Sequence, residues 1–358
     1  MHIYNTVIIG AGASGLSAAA YSGSNTLIID HNSGPGKKIL ISGGGACNFS
    51  NKNVSAADYN SHNPHFCKSA LAGFKPSDFT VILDKHHVGW QEREKGQYFG
   101  FNAKDILDTL AAEARAAGAE FLFNTKVYGV EKENDIFIVK TAGKPLHAKR
   151  VIVATGGLSM PRIGASGVAY DIAKSFSLNV TELYPALTPF LWDKADLAKF
   201  EALAGISAPV TLKLGKKTIK DSMLFTHYGI SGPAALQMSL YSKGDEALTI
   251  NFLPDTNIAE LIAAARKTPK TFSQILDGLL PERLVTTLTY GYDQQVSNAK
   301  RETLQHFERT LTAYTFTPLL NTSYLKAEIT AGEWTLKNFP PLPWSHAKYP
   351  DFILRANA

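Results

Sequence analysis

The stretch that most constrains this chain is TVIIGAGASGLSAAAYSGSNTLIID, residues 6–30. Its apolar run at 6–9 reads as a buried strand, the small-residue stretch at about 14–22 as a helix, and the second apolar run at 26–29 as another strand. Between the first strand and the helix stand Gly10, Gly12 and Gly15, spaced G-x-G-x-x-G. The first glycine permits a tight turn, the second lets a pyrophosphate approach the backbone, and the third lets helix and strand pack closely. The helix N-terminus adds N–H groups that lack intrahelical partners and a partial positive charge. Asp30 closes the second strand twenty residues after Gly10, where a carboxylate meets ribose hydroxyls. Strand, helix, strand and acid in register predict a dinucleotide site. The fingerprint alone does not separate FAD from NAD(P).

The next segment, GPGKKILISGGGACNFSN at 34–51, reads as a glycine-rich loop in which Lys37 and Lys38 add positive charge. Such backbone suits phosphate oxygens or the edge of a flat ring. A simple nicotinamide-binding fold has no need of it directly after the ribose acid, so the loop favours a flavin. Far downstream, KRVIVATGG supplies an apolar strand at 151–154 that runs into Thr155, Gly156 and Gly157. That strand can return to the first strand's sheet and set its end beside the same cofactor. Ahead of it lie a helix in AKDILDTLAAEARAAGA, ended by Gly118, a parallel strand at 120–123, and antiparallel strands with polar turns at 133–135 and 143–145. A β-meander before an A-T-G-G strand is a pattern of two-dinucleotide-type flavoproteins.

These motifs together resemble the HI0933-like (YhiN-like) bacterial flavoproteins, related to aminoacetone oxidases and bile-acid reductases. The resemblance is carried by GAGASGL at 10–16, PGKKILISGGG at 35–45, ATGG at 154–157, LYPALTPF at 183–190, MLFTHYGISGPAAL at 223–236 and KAEITAG at 326–332, in the family's order. It implies an α/β fold: a Rossmann-like FAD-binding domain with an inserted middle domain of β-barrel and helices. The expected domains are 1–187, 188–325 and a return at 326–358. The resemblance implies that Gly10, Gly12, Ala13, Ser14 and Gly15 hold the pyrophosphate, with Lys38 nearby, and Asp30 the ribose. It implies a backbone contact from Val127 to adenine. Ser42, Gly43, Gly44, Gly45 and Asn48 would lie toward the flavin, with Thr155, Gly156 and Gly157 beside the cofactor.

Three departures from the family pattern stand out. Ala46 replaces the arginine of S-G-G-G-R-C-N, and GQYFG at 96–100 replaces G-R-x-F-P. Past the AEITAG region the family continues into G-L-Y-F-A-G-E-x-L-D and a G-G-Y-N helix start that close over the flavin. Here KYPDFIL at 348–354 resembles the start of that strand, and the expectation is a truncated or altered C-terminus with weakened FAD binding.

The middle of the chain predicts short strands around Gly215, a helix opened by Gly-Pro at Pro233, a strand in DEALTINFLP, and helices between about 257 and 313 broken at Pro269 and Pro281.

The function expected is hydride transfer between a small-molecule substrate and FAD, with NAD(P)H the candidate transient electron donor. His227 and Tyr228, in FTHYG, are the polar candidates to orient a substrate carbonyl or transfer a proton; a turn histidine bonded to backbone is the alternative. A net charge of +5 without a long Lys/Arg block argues against a nucleic-acid partner, although related folds modify tRNA. Strongly salt-dependent RNA binding would revive that reading. A further alternative is a non-catalytic remnant that holds FAD poorly, which would purify colourless. Two cysteines, Cys47 and Cys67, exclude a disulfide framework and a four-cysteine zinc site, and no metal site is expected. No apolar run approaches a membrane span and no leader pattern opens the chain, so the cytoplasm is the expected compartment. The oligomeric state is not encoded in any motif.

Overall fold

The computed structural model describes residues 1–332, except 62, 245 and 293, together with the strand 352–354. The chain divides into two compact units, one of residues 1–183 with the chain from 329 onward, the other of residues 184–328.

The first unit begins as its sequence demands: β1 (Ile3–Ile9), α1 (Ala13–Ala20) and β2 (Thr26–Ile29). β1 pairs parallel with β2, Ile9 opposite Ile29. Successive side chains of a strand point to opposite faces. Val7, Ile9, Leu27 and Ile29 accordingly join one core, while Ile8 and Ile28 join another with Leu16 and Ala19 of α1. Both faces are covered, which is why these strands are apolar throughout rather than alternating.

The segment read as a glycine-rich loop holds more structure than expected. After Gly36 come a one-turn helix, α2 (Lys37–Ile41), a 3₁₀ turn at Ser42–Gly45, and β3 (Asn48–Asn51). Buried Ile39 anchors α2, a tertiary contact that outweighs the local glycine content. Two short helices follow, α3 (Lys68–Gly73) and α4 (Pro76–Lys85). His86 ends α4 and bonds Glu113, so the His86–His87 pair closes a helix. With β4 (Trp90–Glu92) and β5 (Gln97–Gly100), β3 forms a small antiparallel sheet in the order β3-β5-β4.

Helix α5 (Ala103–Ala116) is capped by the Asn102 side chain, which accepts the Lys104 N–H at 2.9 Å. Its apolar stripe of Ile106, Leu107, Ala111 and Ala114 packs into the α1 core. The expected meander follows as β6 (Ala119–Leu122), β7 (Val127–Glu133), β8 (Ile136–Thr141) and β9 (Leu146–Val153), then α6 (Val168–Ser175). The strand order is β6-β2-β1-β9-β8-β7. β6, β2, β1 and β9 run parallel, while β8 pairs antiparallel with β9 and β7. The strand Phe352–Leu354 pairs parallel with Val151–Val153 of β9, beyond the residues that pair with β8. It falls within the strand expected at 348–354, whose other residues lie outside the described ones.

The second unit contains β10 (Tyr184–Ala186), β11 (Phe190–Leu191), α7 (Lys194–Phe200), β12 (Ser207–Leu214), β13 (Lys217–Phe225), β14 (Gly229–Ser231), α8 (Gly232–Ser239) and β15 (Leu248–Asn251). It continues with α9 (Ile258–Ala265), α10 (Glu282–Leu288), α11 (Arg301–Thr312), β16 (Tyr314–Phe316) and β17 (Leu319–Leu320). Its antiparallel sheet has the order β16-β15-β12-β13-β14-β11-β17, and among the described residues no pair joins β16 to β17. Pro233 lies in the first turn of α8, as its missing N–H allows. Trp192, Phe200, Phe225, Phe252 and Phe316 build an aromatic core under the sheet. Among the described residues, no helix is long and apolar enough to cross a membrane.

Candidate functional site

Three parallel strands of the first unit end at one level: Ile9 of β1 faces both Ile29 of β2 and Val153 of β9. Chain order runs from β1 through β2 to β6 on one side, and β9 lies on the other. This reversal is a topological switch point, and the crevice outside the strand ends there is where open α/β sheets bind ligands. Gly10 and Asp30 follow directly on the ends of β1 and β2, and Thr155 comes one residue later on the third, after Ala154. The Gly10 N–H donates to the Ile29 carbonyl and the Ala154 N–H to the Ile9 carbonyl, both at 2.8 Å, so the ladder holds to its last rung.

The three glycines of the fingerprint divide by what surrounds them. A side chain on Gly10 would overlap the Ala154 carbonyl, and one on Gly15 would overlap the Gly10 carbonyl. Those two serve packing within the protein. Around Gly12 there is open space where a side chain would stand, beside the first turn of α1 formed by Ala13, Ser14 and Gly15. No side chain caps this turn, whose first N–H groups lack intrahelical acceptors by helix geometry. A site that must keep one glycine bare although nothing in the protein fills the space fits a phosphate.

Asp30 does more than its position at the end of β2 foretold. One carboxylate oxygen accepts the Ala11 N–H and the other the Asn32 N–H, each at 2.8 Å. The Gly36 N–H in turn donates to the Ala11 carbonyl at 2.9 Å, which ties the start of α2 to the same turn. Asp30 therefore braces the glycine turn at Gly10–Gly12, and a carboxylate offers about four lone-pair sites, leaving room for further donors. Its own carbonyl accepts the Thr125 N–H at 3.0 Å, and that of Asn32 the Asn124 N–H at 2.9 Å. These bonds hold the 123–127 segment against the end of β2, so that Val127, buried at the start of β7, lies close along the chain to the Asp30 turn.

Replacing Asp30 with alanine is expected to lower FAD affinity roughly tenfold to a hundredfold, since a hydrogen bond to a charged acceptor contributes about 1.5–3 kcal/mol. It also strips the Ala11 and Asn32 N–H groups of their acceptor, so the melting temperature of the cofactor-free protein should fall with it. Titration and thermal melts check both. A role at the ribose alone would leave the cofactor-free melt unchanged.

Beyond α2, Gly43, Gly44 and Gly45 all take positive φ, at 56°, 69° and 91°. Other residues resist that conformation by about 1–2 kcal/mol each. Space is open beside Gly44 and Gly45, and the turn is exposed, as a surface meeting a flat ring must be. Ser42 donates to the Ile39 carbonyl at 2.9 Å and fixes the entry to the turn. Asn48 is exposed; with its amide nitrogen turned toward the carbonyls of Ser50 and Tyr98, at 3.1 and 3.2 Å, it braces the β3–β5 pair. Lys38 is exposed on α2. Cys47 is buried, which pushes its thiol pKa up and leaves it protonated at neutral pH, against a reactive thiol.

On the β9 side, Thr155, Gly156 and Gly157 are partly exposed, with open space beside Gly156. The turn that follows is held by Thr330, a residue of KAEITAG whose sequence context carries no signal of that role. Gly164, after the Met160–Pro161 turn, packs on His31 and Asn32. These links were not foreseen, because they join residues more than a hundred positions apart with no local pattern.

His227 and Tyr228 lie in the second unit, in the turn from β13 to β14, where Thr226 N–H donates to the Gly229 carbonyl at 2.8 Å. Both side chains are exposed, Tyr228 by 72%. The Tyr228 carbonyl accepts the Trp192 N–H at 2.9 Å, which fixes the turn's backbone.

A parallel sheet with a bare glycine turn at its switch point, an acid ending the second strand and a Thr-Gly-Gly return defines the dinucleotide-binding class of α/β proteins. Within that class the chain belongs to the HI0933-like family, whose Rossmann domain matches residues 4–338. This is the family to which the sequence motifs pointed. The ribosomal RNA dihydrouridine synthase of Escherichia coli is 38% identical, across 93% of this chain and 86% of that protein. That of Haemophilus influenzae is 39% identical, across 91% and 84%. A 3-dehydro-bile acid delta(4,6)-reductase of Clostridium scindens is 28% identical, across 78% and 73%.

Proposed function

We propose that this chain is an FAD-dependent reductase of ribosomal RNA that converts a uridine to dihydrouridine. The reading rests on one observation above others: likeness to two relatives of that name runs through nine-tenths of the chain. It departs from the expectation of a small-molecule substrate, in which charge counted only against a nucleic-acid partner. Net charge reports non-specific attraction to phosphates, and an enzyme that recognises one site in a folded RNA need not carry a long basic stripe.

The residues present fit FAD. The bare turn at Gly12 and the first turn of α1 would take the pyrophosphate, Asp30 the ribose, the Gly43–Gly45 turn the flavin side, and Thr155 to Gly157 the remaining edge. When bound, the flavin would supply the hydride, with NAD(P)H the candidate electron donor. The protein's own tasks are to hold the pyrimidine in place, exclude water and deliver a proton to the second carbon of the reduced bond.

The third relative favours a second reading, a small-molecule reductase. The two readings share chemistry. A uracil C5=C6 bond is conjugated to the C4 carbonyl, and a steroid Δ4 bond to a 3-oxo group, so both are α,β-unsaturated carbonyls that accept hydride at the β-carbon and a proton at the α-carbon.

The test is to reduce the FAD-loaded protein anaerobically with NADH or NADPH, then add either unmodified ribosomal RNA or a steroid enone. The expected result is flavin reoxidation with RNA and dihydrouridine in its nucleoside digest. Reoxidation by the enone alone, with no dihydrouridine, would establish the second reading instead.

A further inference from the structure

The side chain of Thr330, on the strand Ile329–Ala331, is 172 residues from the turn it holds. Its Oγ1 accepts the Leu158 N–H at 2.8 Å and the Ser159 N–H at 3.0 Å, and lies 2.9 Å from the Ser159 hydroxyl. A hydroxyl oxygen has two lone pairs. Both are met by backbone N–H groups, and in the contact with Ser159 either hydroxyl can be the donor. Both residues are buried, Thr330 to 4% exposure and Ser159 to 1%, where water cannot replace a lost partner. The same hydroxyl lies where a side chain on Gly157 would project, so Gly157 is bare because Thr330 packs against it.

We propose that Thr330 is a positioning residue for the cofactor: its hydroxyl fixes the turn from Gly157 to Ser159 and so sets the Thr155–Gly157 backbone against the bound FAD. The proposal rests on the reading that FAD occupies this crevice. Strand β9 delivers the chain to the crevice but does not determine its path beyond Ala154. Gly156 has φ +71° and Gly157 carries no side chain, so this stretch has little stiffness of its own. The Thr330 hydroxyl accepts two backbone N–H groups and meets the Ser159 hydroxyl at a single atom, enough to select one path.

The test compares Thr330→Val, which keeps the shape and removes the hydroxyl, with Thr330→Ser, which keeps the hydroxyl and removes a methyl. Two readouts are needed: FAD affinity by titration of the full-length protein, and amide exchange at Leu158 and Ser159 in its FAD-free form. For the valine variant we expect about a tenfold or greater loss of FAD affinity, equivalent to about 1.4 kcal/mol, with at least tenfold faster exchange at both amides. The serine variant should stay near wild type in both. Wild-type affinity in the valine variant, with normal binding elsewhere, overturns the proposal and leaves the FAD reading standing. Equal losses in both variants also overturn it, since methyl packing rather than the hydroxyl would then be responsible. If the wild-type protein takes up no FAD, the cofactor reading falls and the positioning role falls with it, whatever the exchange rates show.

Discussion

Substituting Gly12 with valine should leave the melting temperature of the cofactor-free protein nearly unchanged while removing measurable FAD binding. Nothing in the protein lies where the new side chain would stand, and Gly12 has φ −83°, which any residue adopts. The apo fold therefore has no use for the missing side chain. The proposed cofactor does, because a pyrophosphate must approach the backbone at this residue. Displacing it from N–H groups of the first helical turn forfeits several charge-assisted hydrogen bonds at about 1.5–3 kcal/mol each, a loss of a hundredfold or more in affinity. Thermal melts of the apo protein and FAD titration check the two halves separately. Retained FAD binding would move the pyrophosphate elsewhere; a large fall in the apo melting temperature would mean that Gly12 is structural after all.

Gly15 to alanine should show the reverse balance. In an ordinary helix interior that change stabilises by about 1 kcal/mol, because alanine is the better helix former. Here the added methyl would overlap the Gly10 carbonyl in the turn that β1 feeds into α1. Either the helix must move off the sheet or the turn must open, and overpacking of that kind costs about 3 kcal/mol or more. Steric cost exceeds propensity gain, so the variant should melt lower even without cofactor. Denaturant unfolding of the apo protein settles the sign; a stabilised Gly15→Ala variant would show that the helix has room to shift. The two glycines are three residues apart and match the same motif, yet only one is expected to matter to the fold.

Much of the first unit was legible in the sequence because its determinants are local. Residues 26–29 form β2 as expected, since an uninterrupted apolar run between polar turns has few other uses in a sheet covered on both faces. α5 was legible from its apolar spacing and from Gly118, which follows the helix at φ +86°. In the second unit, Pro233 marked α8, and α9, α10 and α11 fall within the helical stretch read between about 257 and 313. The helix start read at Pro269 is wrong: 266–281 are turns, and only Pro281 precedes a helix.

What sequence could not show depends on distant partners. The five residues of α2 lie in a segment so rich in glycine that it read as loop; buried Ile39, and Gly36 packed on Leu107, make it a helix. Asp30 was read only as a ribose ligand, because its bond to the Ala11 N–H exists only once β1 and β2 are side by side. Thr330 was invisible as a site residue for the same reason: its partners are brought to it after the chain has passed through an entire second unit.

The most direct test of the central claim, that the crevice at the ends of β1, β2 and β9 holds FAD, is calorimetric titration of the cofactor-free protein with FAD and, separately, with NADH and NADPH. The account predicts saturation at one FAD per chain, undiminished when either nicotinamide nucleotide is already present in excess. Binding of a nicotinamide nucleotide in place of FAD, or no binding of FAD at all, would contradict it.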